Sequence, residues 1–136
     1  MPSTLHVVAA CLLDEQNRLL LVRKRRTRLL MMPGGKPEAG EAPLETLARE
    51  LYEELGWCCR PHALQPLGHF SAPAANEAGV TVTAEVFWGR IDQEVRAHAE
   101  IEELIRVPLD NAASVPLAPL QKVLMPALLA ACSAAD

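Results

Sequence analysis

Aromatic side chains are scarce in this chain: two Phe, two Trp and one Tyr among 136 residues. Platforms for stacking bases are therefore few, and Phe70 and Trp88 are expected in the core instead. Cysteine is limited to Cys11, Cys58, Cys59 and Cys132, with no C-x-x-C pair, and adjacent Cys58 and Cys59 are poor disulfide partners. His6, His62, His69 and His98 stand apart without metal-ligand spacing, which argues against a zinc site. No apolar run approaches the roughly 20 residues that span a bilayer, and the first residues lack a basic stretch followed by a long apolar one. Net charge is only −4, and no basic stripe is long enough to track duplex nucleic acid. The one basic cluster, Arg23, Lys24, Arg25, Arg26 and Arg28, reads either as a solvated loop or as a collar for a phosphorylated ligand. The expectation from these absences is a soluble, reduced, cytoplasmic protein with neither membrane nor polymeric nucleic acid as partner. Monomer and homodimer both stay open.

Half of the residues are apolar and 22% are charged, a globular mixture in a chain the length of one domain, residues 1–136. Residues 5–13 and 18–22 are apolar runs around the polar turn Asp14, Glu15, Gln16, Asn17, which predicts a hairpin. Pro33, Gly34 and Gly35 predict a break. Residues 64–70 and 80–91 read as strands separated by a loop at 71–79, and 101–107 as a short further element. A last helix over 120–132 is expected to kink or split at Pro126. Strands mixed with two helices predict an α/β domain with helices packed on a mixed sheet.

The clearest helix covers 42–55, where Leu44, Leu47, Ala48, Leu51 and Leu55 form an apolar stripe between Pro43 at the start and Gly56 at the end. Glu50, Glu53 and Glu54 fall in a sector of about 100°, expected to lie away from the leucines. Like charges at these spacings cost a helix about 0.2–0.5 kcal/mol per pair, and two of the three sit near the end where the dipole disfavours anions. Glutamates also commonly decorate solvated faces, so the cluster alone decides nothing. A divalent cation would relieve the repulsion, and magnesium prefers carboxylate, water and phosphate oxygens. Upstream, Gly34 and Gly35 can bring backbone close to a metal or ligand, and Arg49 lies four positions before Glu53.

Gly35, Glu41 and the run Arg49-Glu50-Leu51-Tyr52-Glu53-Glu54-Leu55-Gly56-Trp57 together resemble the Nudix box, G-x5-E-x7-R-E-U-x-E-E-x-G-U, over residues 35–57. Every fixed identity is present. Trp57 departs from the usual aliphatic residue at the last position, with an expected effect on packing rather than chemistry. The resemblance implies an α/β/α sandwich whose loop–helix–loop holds Mg²⁺ or Mn²⁺, while water attacks phosphorus in a nucleoside diphosphate-linked substrate. It implies Glu50, Glu54 and the Gly34 carbonyl as metal ligands, and Glu53 as a further ligand or the base. Arg49 would orient Glu53, and Glu41 would support the loop or reach metal through water. Some members carry an additional glutamate outside the box. Glu100 is the candidate here, with Glu102, Glu103 and, more weakly, Glu85 as competitors.

Lys36 resembles the nucleoside-triphosphate pyrophosphatase branch of the family, in which Arg23 and Lys24 would reach phosphates near the Gly35 backbone. Residues 115–119 offer no Asn or Asp to read a base edge. Hydrolysis of a nucleoside triphosphate to monophosphate and pyrophosphate is the leading expectation. ADP-ribose, a nucleotide sugar or a dinucleoside polyphosphate is the second, and a Nudix-shaped nucleotide-binding module without turnover is the third.

Overall fold

Alternation along one strand sets the architecture. Strand β1, Ser3–Leu13, sends Ala9, Cys11 and Leu13 into one apolar cluster and Val8, Ala10 and Leu12 into another. Both faces of its C-terminal half are buried, so both must be covered. The computed structural model describes residues 3–60, 63–75 and 77–134. His62, and Asn76 in the loop expected at 71–79, lie outside the described residues.

Strands β2 (Arg18–Lys24), β3 (Gly34–Gly35), β4 (Leu64–Pro73), β5 (Val80–Arg90) and β6 (Ile101–Pro108) join β1 in one mixed sheet of order β4-β5-β1-β2-β6, with β3 paired to β1. Helix α1, Pro43–Leu55, covers one face through Leu47, Leu51 and Leu55. Helix α2, Pro119–Ala134, covers the other through Leu124, Leu128 and Cys132. The result is the expected α/β/α sandwich. Trp57 is buried beside the α1 leucines, and Trp88 is buried on the α2 side with Phe70 packed against that cluster.

Four expectations are corrected. The β1–β2 hairpin pairs only beside its turn, at Leu12 with Leu20 and Leu13 with Leu19. Beyond that the strands splay, because residues 31–35 enter between them: Met31 exchanges backbone hydrogen bonds with Val22, the Ala10 N–H donates to Pro33, and Val8 and Ala9 pair with Gly35 and Gly34. The break expected at Gly34 and Gly35 is thus a short strand as well as an interruption. Strand β4 runs on through Ser71–Pro73, which the sequence assigned to a loop, since these residues pair with Thr83, Val82 and Thr81. Finally, α2 is not split at Pro126 but continues through it as one helix, with buried Leu124 and Leu128 on both sides holding it against the sheet. A 3₁₀ turn at Leu109–Ser114, not anticipated, connects β6 to α2.

Candidate active site

The wedge between β1 and β2 places two glycines against the last turns of α1. A Cβ on Gly35 would lie 2.4–2.7 Å from the Glu50 carboxylate. Gly34, at φ +153°, could carry no Cβ either, since one would meet the Val8 carbonyl oxygen at 2.2 Å. The Gly34 N–H donates to Glu54 Oε1 at 3.0 Å. Two carboxylates of one helix therefore rest on bare backbone of one loop.

Helix α1 holds its register at both ends. Pro43 opens it, and the Glu45 carboxylate reaches back to the Ala42 N–H at 2.9 Å. Gly56 closes it in the left-handed region at φ 70°, donating to the Tyr52 carbonyl. The Arg96 and His98 N–H groups donate to the Leu55 and Glu54 carbonyls, which fixes the turn carrying Glu54.

Arg49 ties the loop to the helix. Its guanidinium donates twice to Glu41, at 2.7 and 2.9 Å, once to Glu50 at 2.7 Å and once to the Lys36 carbonyl at 2.9 Å. Glu38 also lies 2.9 Å away. Hydrogen bonds from Arg49 hold the Glu41 carboxyl at about 2, well below its ordinary value. The anticipated Arg49–Glu53 contact is the longest of the set, at 3.7 Å, and Glu53 is 51% exposed. The Arg49 fork is occupied chiefly by Glu41 and Glu50.

Glu54 is only 2% exposed, which corrects the expectation that all three glutamates lie away from the leucines. The reason is helical: Glu54 follows Leu47 by seven residues, about two turns, and so shares its side. Burial pushes its carboxyl up to about 7, against the Gly34 N–H and the charge of Lys24, which favour the anion, while Glu50 and Glu100 disfavour it. Lys24 meets Glu100 at 3.4 Å, so Glu100 is brought to the edge of this cluster. Its competitors point elsewhere: Glu103 pairs with Arg23 at 3.1 Å and Glu102 with Arg25 at 3.5 Å. Glu85 lies 3.6 Å from His69, in a groove also lined by Glu41.

Gly34, Gly35, Glu50, Glu54, Lys24 and Glu100 are thus gathered, Arg49 and Glu41 buttress them, and Glu53 lies at the open side. Among the described residues, no three acidic, His or Cys side chains converge as a ready-made metal cluster. The donor set nevertheless suits a hard divalent cation: carboxylate oxygens, one of them buried with no ion-pair partner within 4 Å among the described residues, against glycines where a Cβ would fill the space. Glu50 would have to exchange Arg49 for the ion.

A cleft of about 200 Å³ opens from this loop along the α2 side of the sheet, sharing Lys24, Gly34 and Gly35 with the site. It also reaches Gln121, a residue the sequence reading passed over. The available signal was a polar residue at the head of the apolar series Gln121, Leu124, Leu128, Cys132.

A family profile described as NUDIX domain matches residues 3–128. The chain belongs to the Nudix family. Over 62 residues, 43% of this chain, it is 42% identical to the human protein named 8-oxo-dGDP phosphatase NUDT18. Over 49 residues, 36% of the chain, it is 41% identical to an RNA pyrophosphohydrolase of Francisella tularensis. These matches span 19% and 32% of the lengths of those two Nudix relatives. In structure the chain is similar to the E. coli ORF135 protein, with a TM-score of 0.76 and 26% identity over 98% of this chain and 94% of that one.

Proposed function

We propose that the chain hydrolyses a phosphoanhydride bond in a nucleoside-linked substrate, with a nucleoside triphosphate giving monophosphate and pyrophosphate as the leading case. The observation that carries this reading is the pair Glu50 and Glu54 seated on Gly35 and Gly34, with Lys24 alongside. The relatives' names support the bond type: 8-oxo-dGDP phosphatase and RNA pyrophosphohydrolase share a phosphoanhydride and differ in what carries it.

Gly34, Glu50, Glu53 and Glu54 would hold Mg²⁺ or Mn²⁺, which when bound neutralises phosphate charge and acidifies water. The rest falls to the chain's own residues. Lys24, Arg23 and Lys36, with the Gly35 backbone, bind the phosphates. A phosphate oxygen competes with Glu100 for Lys24, since that pair is long and its carboxylate 62% exposed. Glu53, on the open flank, accepts the proton of the attacking water, with Glu100 as the other carboxylate in place for that task. The water oxygen bonds to phosphorus and the anhydride P–O bond breaks, its electrons leaving on pyrophosphate. Arg49 and Glu41 position Glu50 and keep the loop closed on the helix.

Incubation with Mg²⁺ and a panel of nucleoside triphosphates, ADP-ribose, nucleotide sugars and dinucleoside polyphosphates, reading pyrophosphate and phosphate release, tests the proposal. Turnover of triphosphates with pyrophosphate release is expected. Turnover confined to ADP-ribose or another diphosphate-linked compound moves the substrate class, and no turnover on any member makes the chain a binding module.

A further inference from the structure

We infer that Thr46 is a positioning residue for the reaction: its buried hydroxyl fixes the Glu41 carboxylate, which keeps Arg49 anchored on the loop and so leaves Glu50 free to turn to a cation. This role rests on the metal reading above and names the residue that governs how readily Glu50 is released.

Local physics does not favour a threonine at this place. Thr46 lies at the end of the first turn of α1 and is 0% exposed. A β-branched residue is a poorer helix former than alanine, by up to about 0.7 kcal/mol, and a buried hydroxyl needs a partner. The partner here lies outside the helix. The Thr46 hydroxyl is 2.9 Å from Glu41 Oε1 and 3.4 Å from the Ala42 carbonyl oxygen, so its one proton goes to the carboxylate.

Glu41 Oε1 accepts two further bonds, from the Glu38 N–H at 2.7 Å and from Arg49 Nη2 at 2.9 Å, while Oε2 accepts from Arg49 Nε at 2.7 Å. These donors together hold the carboxylate in one orientation, and Thr46 supplies the one on its buried side.

The consequence falls on Arg49. Its Nε and Nη2 edge grips Glu41, which leaves Nη1 alone to reach Glu50 at 2.7 Å. A guanidinium gripped from behind in this way releases Glu50 without following it. Removal of the Thr46 donor lets the Glu41 carboxylate turn, and the fork loses its match. Arg49 then swings toward Glu50 and Glu53, whose carboxylate already lies 3.7 Å from Nη1. A cation arriving at Glu50 must displace a two-bonded ion pair instead of a single bond, so it binds more weakly.

The test compares Thr46→Val, which keeps the shape, Thr46→Ala, which suits a helix better, and Thr46→Ser, which keeps the hydroxyl. Mn²⁺ binding by calorimetry is the first readout. Kd is expected to rise at least about 5-fold in the Val and Ala variants, less than the roughly 10–100-fold of removing a group bonded directly to a metal ligand, and to stay within about 2-fold in Thr46→Ser. The second readout is the Mg²⁺ concentration that gives half the maximal rate on the best substrate of the panel, which should rise by the same factor, with excess Mg²⁺ recovering most of the rate. A purely structural role would lower the melting temperature of the Val and Ala variants and leave both metal readouts where they were. That result, or a Thr46→Ser variant as weak in metal binding as Thr46→Val, overturns the inference and leaves the hydrolase reading standing. Native protein that neither binds Mn²⁺ nor turns over any anhydride overturns both.

Discussion

At the scale of single residues, Glu54 bears the most weight, because it joins a buried carboxyl to the glycine loop proposed above to receive the phosphates. Replacing it by Gln keeps the shape and an acceptor for the Gly34 N–H but removes the charge. Turnover is expected to fall at least about 10²-fold, the scale of losing an important electrostatic group. Retention of most of the rate would mean that the metal ligands are other residues. The same change has a stability signature. The Glu54 carboxyl titrates near 7 when folded against 4.5 ordinarily, so between those values the folded state keeps a proton that the unfolded chain has released. Stability of the metal-free protein is then full below about pH 4.5 and declines toward pH 7, by up to roughly 3 kcal/mol. Glu41, held at about 2 by Arg49, works in the opposite sense: its contribution is present above 4.5 and is lost as pH falls through 2. Melting curves in a chelating buffer at pH 5 and pH 7.5 should show Glu54→Gln gaining on the native protein at the higher pH, and parallel behaviour would refute the buried-charge account. Glu54 also marks where the residue pattern misled. The helix itself was legible, but placing all three glutamates on one solvent flank overlooked that Glu54 stacks two turns below Leu47.

At the scale of elements, the loop over residues 31–35 is placed by pairing with distant strands, whereas the helix it meets is set by local signals. Local periodicity made α1 legible within a residue or so at each end, since its stripe, Pro43 and Gly56 are all local signals. The splay of β1 from β2 was not legible, because it depends on Met31 and Pro33 finding partners 9 and 23 residues earlier in the chain, Val22 and Ala10. Continuity of α2 across Pro126 was hidden for the same reason, tertiary burial overriding a local breaker. The two glycines of the loop should separate fold from chemistry. Alanine at Gly34 collides with the Val8 carbonyl, which belongs to a central strand and cannot yield, so the protein is expected to lose several degrees of melting temperature. Alanine at Gly35 meets first the Glu50 carboxylate, the end of a side chain that can turn aside by giving up its bond to Arg49. Its melting temperature should stay close to the native one while turnover falls by about 10-fold or more, the cost of moving a charged group from its place. Equal damage to stability from both substitutions would show that Glu50 is not free to move.

At the scale of the molecule, two cores back one sheet and only one of them carries the carboxylates. Leu51, in the α1 core, sits between Glu50 and Glu54 on the helix, whereas Leu128, in the α2 core, lies about two turns beyond Gln121. Both side chains are fully buried, so truncation to Ala should cost each variant about 2–5 kcal/mol of stability. Their effects on turnover should nevertheless part. A cavity under Leu51 lets the last turns of α1 shift, and the Gly34–Glu54 and Arg49–Glu50 bonds, both within 3.0 Å, do not survive even an ångström of displacement. A cavity under Leu128 leaves the α1 layer and the Leu30 pairing at the start of α2 undisturbed, because that pairing is made by backbone ahead of the helix. Assayed well below the melting temperature of each variant, Leu51→Ala should therefore lose at least about 10-fold in kcat and Leu128→Ala no more than about 3-fold. Comparable losses in kcat would mean that the sandwich transmits strain across the sheet as a unit, and that the chemistry cannot be assigned to one of its layers.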